Sequence, residues 1–332
     1  MIVGGETMEN RTLRQAWLGT TRFPLRRIHV KRQRMKMMRP IILSLVTLTS
    51  LGALLCGCAS GGKHKTVGTS DSFRGPVGLQ LYSLRADFAT NVPSTILLVR
   101  GLGFRDVELA GTYGMSPKQF RTMLVSNGLV PIAAHFPYDR FKTNVDSIIL
   151  EAKALGLKYA GVAWIPHDGD FDERKCLEAI EVFNNAGKAL AAHGIKFFYH
   201  NHGYEFQPYG NGNRTLFDLL MAETNPNYVS YEMDVLWVQH PGQDPVKLLQ
   251  KYGSRWALMH IKDLKKGVKT GELTGSTDVR NDVALGTGQI DLAATLKAAQ
   301  AAGVKYYFIE DESPSVQQQL PLSLRYLEGL QW

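Results

Sequence analysis

Histidine and acidic residues recur at one kind of position in this chain, the end of a short apolar segment. If these segments are neighbouring parallel strands, their last inward-facing side chains meet at one edge. His200, Asp234, His260 and Glu310 would then form a pocket of two imidazoles and two carboxylates. This set suits Mn²⁺, Zn²⁺, Co²⁺ or Fe²⁺ better than Mg²⁺, so the sequence predicts a site for one divalent metal ion. The alternative is that the four residues are hydrogen-bonded polar plugs at the rim.

Two positions before or after each of these four residues stands a second polar residue. Because side chains alternate along a strand, the two members of each pair share a face. The pairs are His200 with His202, Glu232 with Asp234, His260 with Lys262, and Glu310 with Glu312. Each second residue is therefore expected near the same pocket, together with His135 at the end of an earlier segment.

Other residues at the segment ends are candidates for binding a substrate. Gln80, Tyr82 and Glu108 supply polar groups, and Tyr82, Trp164 and Trp237 offer aromatic faces on which a sugar ring can stack. Aromatic side chains near such an edge are equally common as core residues. The segment Gly286-Thr287-Gly288 precedes a helix and could hold an anion, but a turn is the simpler interpretation.

Apolar β-rich segments alternate with helical patterns from Gly75 onward. Strands are predicted at 77–82, 106–109, 130–135, 159–164, 196–200, 229–234, 257–262 and 306–310. Helices are predicted at 93–101, 116–126, 143–155, 173–192, 214–223, 245–252, 290–301 and 316–330. The segment 264–289 is the longest stretch with neither pattern, and we expect it beside the active site.

One type of junction occurs repeatedly, a glycine that ends a helix and is followed at once by a strand. It is found at Gly103, Gly128, Gly156, Gly194 and Gly303. The eight predicted strands and eight predicted helices form eight β-α units in about 258 residues. They predict a single-domain α/β fold, the (β/α)₈ TIM barrel. A doubly wound open sheet is the alternative, but the first strand is not followed by its glycine-rich fingerprint.

The N-terminal region has the pattern of an export signal. Residues 41–57 carry no charge, follow Lys36 and Arg39, and end in Leu55-Cys56-Gly57-Cys58, which resembles a bacterial lipobox. We therefore expect residues 35–57 to be a lipoprotein signal peptide and Cys58 to be lipidated. Residues 1–34 are expected to be a start-site overcall or an unstructured basic extension, 58–74 a flexible tether, and 75–332 the barrel. An uncleaved anchor or a buried helix is the alternative for the apolar run.

The net charge of +8 lies entirely in the first 40 residues, which carry ten basic and two acidic residues. The remaining chain has equal numbers of positive and negative side chains, which argues against nucleic acid as a partner. Three cysteines cannot form a disulfide framework, and Cys176 falls in a helical pattern as an expected core residue.

Seven motifs together resemble the xylose-isomerase-like TIM barrels, often called sugar phosphate isomerases/epimerases. They are GLQLYSLR, VELAG, YHNHGYEF, YEMDVLWV, MHIKD, ALGTGQID and YYFIEDE, in order over residues 77–312. The resemblance implies one divalent metal held by strands five to eight, with Asp234, His260 and Glu310 at three ligand positions. His200 stands where a glutamate is usual. Lys262-Asp263 after the ligand histidine is similar to the pattern of inositol-ketone dehydratase-like relatives.

The resemblance also implies an activity, an isomerase or epimerase that acts through an enediolate-type intermediate. Glu310 would take the proton next to the carbonyl, and His202, His135, Lys262 or a bound water would relay the second proton. Because strand five lacks its glutamate, a lyase that performs β-elimination on a keto-glycoside or inosose-like substrate is the first alternative. A non-catalytic carbohydrate-binding lipoprotein is the second.

Location bears on the substrate. We expect an exported protein that is anchored to the membrane by its N-terminal lipid. The absence of an acidic run after Cys58 favours the periplasm of a Gram-negative bacterium. Phosphorylated sugars are kept inside cells, so a free sugar, polyol ketone or keto sugar is the expected substrate.

Overall fold

The computed structural model describes residues 66–332. Within them, eight parallel strands close into a barrel in which every strand pairs with its neighbours in the sequence. The predicted TIM barrel is therefore confirmed. The barrel strands are β1 (Val77–Gln80), β2 (Asp106–Leu109), β3 (Val130–His135), β4 (Tyr159–Val162), β5 (Lys196–His200), β6 (Val229–Asp234), β7 (Trp256–Ile261) and β8 (Tyr306–Ile309). The predicted basic extension, signal peptide and lipidated Cys58 lie outside the described residues.

The barrel interior is layered, and this layering positions the site. Phe198, Leu258 and Phe308 belong to a buried cluster inside the barrel. His200, His260 and Glu310 each follow one of these residues by two positions. Because side chains alternate along a strand, they lie on the same inner face, one layer nearer the carboxyl ends of the strands. Glycines give the large rings room, since a Cβ on Gly78 or Gly161 would lie within 2.7 Å of the Phe308 or Phe198 ring.

Helices surround the barrel. Three short ones, Arg85–Thr90, Tyr138–Thr143 and Val235–Gln239, were not predicted, and the others follow the predicted order. The helices are α1 (Arg85–Thr90), α2 (Val92–Gly101), α3 (Pro117–Ser126), α4 (Tyr138–Thr143), α5 (Val145–Leu155), α6 (Glu173–Ala191), α7 (Leu216–Glu223), α8 (Val235–Gln239), α9 (Pro245–Tyr252), α10 (Leu292–Ala302) and α11 (Val316–Glu328). All five junction glycines have positive φ, between 73° and 96°. Among the described residues, no helix has the length and apolar character needed to cross a membrane.

The folded domain begins before Gly75, the predicted boundary between the tether and the barrel, because residues 66–74 pack against the barrel. Phe73 is fully buried and its ring packs edge-on against Tyr307 at 5.0 Å. The backbone N–H of Gly68 donates to Glu328 Oε1 at 3.0 Å. This part of the predicted tether therefore belongs to the folded barrel, because its few apolar side chains find a surface to cover that local composition does not reveal.

Segment 264–289 is held by Asp263 rather than by regular structure. The Asp263 carboxylate accepts hydrogen bonds from the backbone N–H groups of Gly286, Gly288 and Ile290 at 2.8–3.2 Å. The anion bound by the Gly-Thr-Gly turn is thus a side chain of the protein itself. A Cβ on Gly288 would lie 2.1 Å from Asp263 Oδ1, which explains the glycine there.

Candidate metal centre

Three side chains from consecutive strands converge at the carboxyl end of the barrel. Asp234, His260 and Glu310 each offer an atom, and these atoms all lie within 4.8 Å of one another. His260 Nδ1 is 3.1 Å from Glu310 Oε2 and 3.9 Å from Asp234 Oδ2. The fourth predicted ligand, His200, approaches from β5 with Nε2 3.8 Å from Asp234 Oδ2.

The chemistry of this set fits a divalent cation. Asp234 Oδ2 is buried and accepts no hydrogen bond from the part of the chain that the structure describes, although it faces His200 and His260. Ligand atoms bound at 2.0–2.2 Å around one ion stand about 3–4 Å apart, so the separations of 3.8 and 3.9 Å leave room for an ion between them. An unpaired buried carboxylate oxygen is costly, and a cation would satisfy it.

A second cluster lies deeper in the barrel and uses the opposite nitrogens of the same two rings. Glu232 Oε2 is 3.1 Å from His135 Nε2, 3.1 Å from His200 Nδ1 and 3.2 Å from His260 Nε2. Glu108 is fully buried and accepts a hydrogen bond from His260 Nε2. His135, His200, Glu232 and His260 also have the spacing of a metal site. Here, however, the carboxylate oxygen itself stands between the three ring nitrogens.

The two clusters together orient the rings. A hydrogen bond to a deep carboxylate places the ring proton on Nδ1 of His200 and on Nε2 of His260. With a metal ion bound, each ring would present its other nitrogen to the ion. Without the ion, His260 Nδ1 donates to Glu310 Oε2, because burial lowers the pKa of His260 but the surrounding carboxylates outweigh it and raise that pKa well above its usual value. Glu232 and Glu108 therefore act beneath the candidate ligands and set their tautomers.

Burial and neighbouring charges shift the pKa values of the acidic groups, upward for Asp234 and Glu232 and downward for Glu310. Burial raises the pKa of Asp234 to about 6, and burial together with the Glu108 carboxylate raises the pKa of Glu232 to about 7. Burial acts in the same sense on Glu310, but the Lys262 ammonium and the His260 ring hold the pKa of that carboxyl well below its usual range. Glu310 therefore stays ionised at neutral pH.

Lys262 is a buried ammonium among carboxylates. Its Nζ lies 2.7 Å from Glu312, 3.1 Å from Glu310, 3.3 Å from Asp282 and 3.8 Å from Asp234. Burial lowers the pKa of Lys262, but these carboxylates outweigh it and raise that pKa well above the usual value. Lys262 is therefore a fixed positive charge beside Glu310 and a poor proton donor.

A cavity of about 320 Å³ opens above the cluster. Its wall includes Tyr82, Trp164, Trp237 and His202, together with Glu310. The His202 ring packs against Trp164 and Trp237 with centroids 5.2 and 5.4 Å away. Burial lowers the pKa of His202 to about 3, so its ring is neutral. Within the described residues its Nδ1 has no hydrogen-bond partner.

The structure separates the predicted substrate-binding residues into two groups. Tyr82, Trp164 and Trp237 line the cavity, as do the candidate catalytic residues His135, His202 and Glu310. Gln80 and Glu108 do not reach its wall, because both are fully buried inside the barrel. The Gln80 side chain instead accepts a hydrogen bond from the N–H of Tyr82 and caps the turn that follows β1.

The sequence placed Glu232 near the pocket without assigning it a role, and it gave no role to Asp282. The alternation of side chains points to Glu232, because it shares a strand face with Asp234 and lies one layer deeper in the barrel. Asp282 is buried beside Lys262 but lies in the irregular segment, where no periodicity points to it.

Fold and site together define a class of protein, a parallel (β/α)₈ barrel with a strand-end His/Asp/Glu cluster suited to a metal ion. A family model described as xylose isomerase-like TIM barrel matches residues 96–332. The chain belongs to this family, as its motifs predicted.

Individual relatives agree with this assignment. The chain is 25% identical over 198 residues to an inosose dehydratase of Bacillus cereus, a match that covers 57% of this chain and 62% of that protein. A sugar phosphate isomerase/epimerase from Parabacteroides distasonis has a TM-score of 0.64 at 24% identity, covering 75% of this chain and 96% of that one. The zinc-bound IOLI protein has a TM-score of 0.60 at 15% identity, covering 76% and 94%. These structural likenesses concern the fold.

Proposed function

We propose that this protein is a divalent-metal-dependent isomerase or epimerase of a free sugar, polyol ketone or keto sugar. The observation that carries the proposal is the cluster of Asp234, His260 and Glu310. Glu310 and the neighbouring His200 line the aromatic-walled cavity, so the cluster adjoins it. A bound divalent ion would polarise a substrate carbonyl and stabilise the negative charge of an enediolate.

The residues of the chain would supply the proton transfers. Glu310 is ionised and lines the cavity, so it can accept the proton from the carbon next to the carbonyl. His202 lines the cavity, and its position there makes it the candidate that relays the second proton. Lys262 would act electrostatically beside Glu310, because its contacts with carboxylates keep it charged.

A lyase or dehydratase is a second candidate, and a specific observation favours it. Strand β5 contributes His200 where a second carboxylate would be needed for the two-glutamate exchange of an epimerase. The carboxylates that line the cavity, Glu310 and Glu312, both come from the end of β8. Carboxylate bases on a single side of the substrate are suited to β-elimination. One relative of the chain is named an inosose dehydratase.

Metal analysis of the purified protein tests the common basis of both candidates. We expect about one equivalent of Mn, Zn, Co or Fe, lost in a His260→Ala/Glu310→Ala double variant. A His193→Ala/Glu181→Ala double variant removes the same residue types from exposed positions and should retain the metal. If the protein binds sugar but takes up no metal after reconstitution, it is a non-catalytic binding protein.

Product analysis then separates the two reactions. Incubation of keto sugars with the metal-loaded protein in D₂O should introduce deuterium next to the carbonyl wherever the enediolate takes up a proton from the solvent. A product of unchanged composition indicates isomerisation or epimerisation, whereas loss of water or of an aglycone indicates elimination. Recovery of the keto sugars unchanged, with neither deuterium nor a new product, would contradict both.

We also propose that the chain is exported and carries a lipid on Cys58. The support is the sequence pattern alone, Leu55 and Gly57 before Cys58 after an uncharged run. Metabolic labelling with a radioactive fatty acid should label the wild type and not a Cys58→Ala variant. A Cys56→Ala variant is the matched control and should still be labelled.

A further inference from the structure

A second cavity adjoins the one above the metal cluster. It has a volume of about 230 Å³ and lies between Trp237 and the loop at 275–279. Trp237 and Glu312 line both cavities, so the two are neighbours across these side chains. We call the second one the side cavity.

The side cavity contains buried ionisable groups whose hydrogen-bonding capacity is only partly used. Asp282 is 3% exposed, and its Oδ2 accepts a hydrogen bond from the N–H of Glu312 at 3.0 Å. Lys262 Nζ approaches the same oxygen at 3.3 Å. The other oxygen, Asp282 Oδ1, is buried and has no hydrogen-bond partner among residues 66–332. A buried carboxylate oxygen without a partner is costly, and a ligand hydroxyl would satisfy it.

The remaining wall suits a polyhydroxylated ligand. Trp237 offers an aromatic surface, and Ser276, Thr277 and Asp278 add polar groups from the loop. A carbohydrate combines C–H faces for the indole with hydroxyl donors for Asp282 and Glu312. The cavity above the metal cluster, at about 320 Å³, is at the small end for ligand sites, so a longer substrate must extend into a neighbouring space.

We infer that the side cavity is a subsite for the second part of a two-part substrate, so that the substrate class is a disaccharide or a glycoside with a hydroxyl-bearing aglycone. This inference rests on the proposed function, since it places the reacting ring above the metal cluster. The second ring or aglycone lies against Trp237 and donates a hydroxyl to Asp282 Oδ1.

Binding measurements with matched probes test the subsite. The probes are 3-keto-glucose, with one ring, and 3-keto-cellobiose, with two, titrated into the Mn²⁺-loaded protein by calorimetry. A Ser276→Trp variant introduces a large side chain at the wall of the side cavity from an exposed position. A Thr270→Trp variant makes a comparable change in the same loop, at an exposed residue outside the cavity wall.

We expect Ser276→Trp to weaken binding of the two-ring probe by about tenfold or more and to leave the one-ring probe within about twofold. Metal content and Thr270→Trp binding should match the wild type. An Asp282→Asn variant should show the same selective loss. Equal affinity of the wild type for both probes, or equal loss of both in Ser276→Trp, would overturn the subsite.

The outcomes also separate this inference from the proposed function. If the two-ring probe binds with the selective loss in Ser276→Trp but is never deuterated or converted, the subsite stands and the proposed activity fails. If the one-ring probe is converted and Ser276→Trp leaves the two-ring affinity unchanged, the activity stands and the subsite fails.

Discussion

The Nδ1 atom of His200 lies 3.1 Å from Glu232 Oε2, beneath the cluster at the barrel mouth. This contact turns the Nε2 atom of the same ring towards Asp234. A first prediction follows from it. Glu232→Gln should weaken Mn²⁺ or Zn²⁺ binding by about 10- to 100-fold, because the amide is a weaker acceptor and holds the rings less firmly.

Competition with a chelator of known affinity measures this effect without reference to activity. Glu223→Gln, on the exposed end of α7, is the matched control and should bind metal like the wild type. Unchanged metal affinity in Glu232→Gln would show that the deep carboxylate does not orient the ligands.

A second prediction concerns Lys262, whose ammonium group contacts four acidic side chains. Lys262→Met should lower the free energy of unfolding by about 3–5 kcal/mol, because it leaves buried carboxylates without a partner. Chemical denaturation of the metal-free protein measures this change. Lys266→Met removes a lysine from an exposed position nearby and should change stability by less than about 0.5 kcal/mol. A loss of similar size in both variants would contradict the assigned role.

Gly288 is predicted to be intolerant of a side chain, because a Cβ there would lie 2.1 Å from Asp263 Oδ1. Gly288→Ala should destabilise the protein by about 2 kcal/mol or more through displacement of the Asp263 carboxylate from its backbone donors. Gly101→Ala is the control, with open space around the added Cβ at the end of α2, and should be neutral or stabilising by up to about 1 kcal/mol. Thermal unfolding distinguishes the two, and equal melting temperatures would refute the explanation of the Gly-Thr-Gly turn.

Glu205 gives a prediction about pH. Burial raises its pKa to about 7 from the usual 4.5, although Tyr199 and the N–H of His202 donate hydrogen bonds to it. Between about pH 4.5 and 7 the folded protein therefore holds a proton that the unfolded chain has released, so stability falls as pH rises. The loss approaches about 3 kcal/mol above pH 7.

A Glu205→Gln variant keeps an acceptor oxygen and cannot ionise. The difference in unfolding free energy between wild type and variant should shift by this amount in favour of the variant between about pH 4.5 and 7.5, because other titrating groups are common to both. A difference that is constant with pH would mean that Glu205 titrates normally.

The sequence predicted most of the fold because the signals are local. Strands β2, β3, β5 and β6 have the predicted ends, and the junction glycines have the left-handed conformation that ends a helix. Alternation also predicted that Asp234, His260 and Glu310 meet, and the structure brings one ligand atom of each within 4.8 Å of the others. The boundary at Gly75 failed because burial of Phe73 depends on Tyr307, far away in the chain.

The sequence by itself determined the barrel, the strand-end residues and the identity of the candidate ligands, since each depends on periodicity within one segment. Only the tertiary structure decided that Glu108 and Glu232 lie beneath the histidines, that Asp263 binds the Gly-Thr-Gly turn, and that Asp282 borders a side cavity. The physical reason is that the tautomer of a buried imidazole, and the partner of a buried carboxylate, depend on groups from other strands. Barrel closure and strand register bring those groups together, and neither is encoded within a single segment.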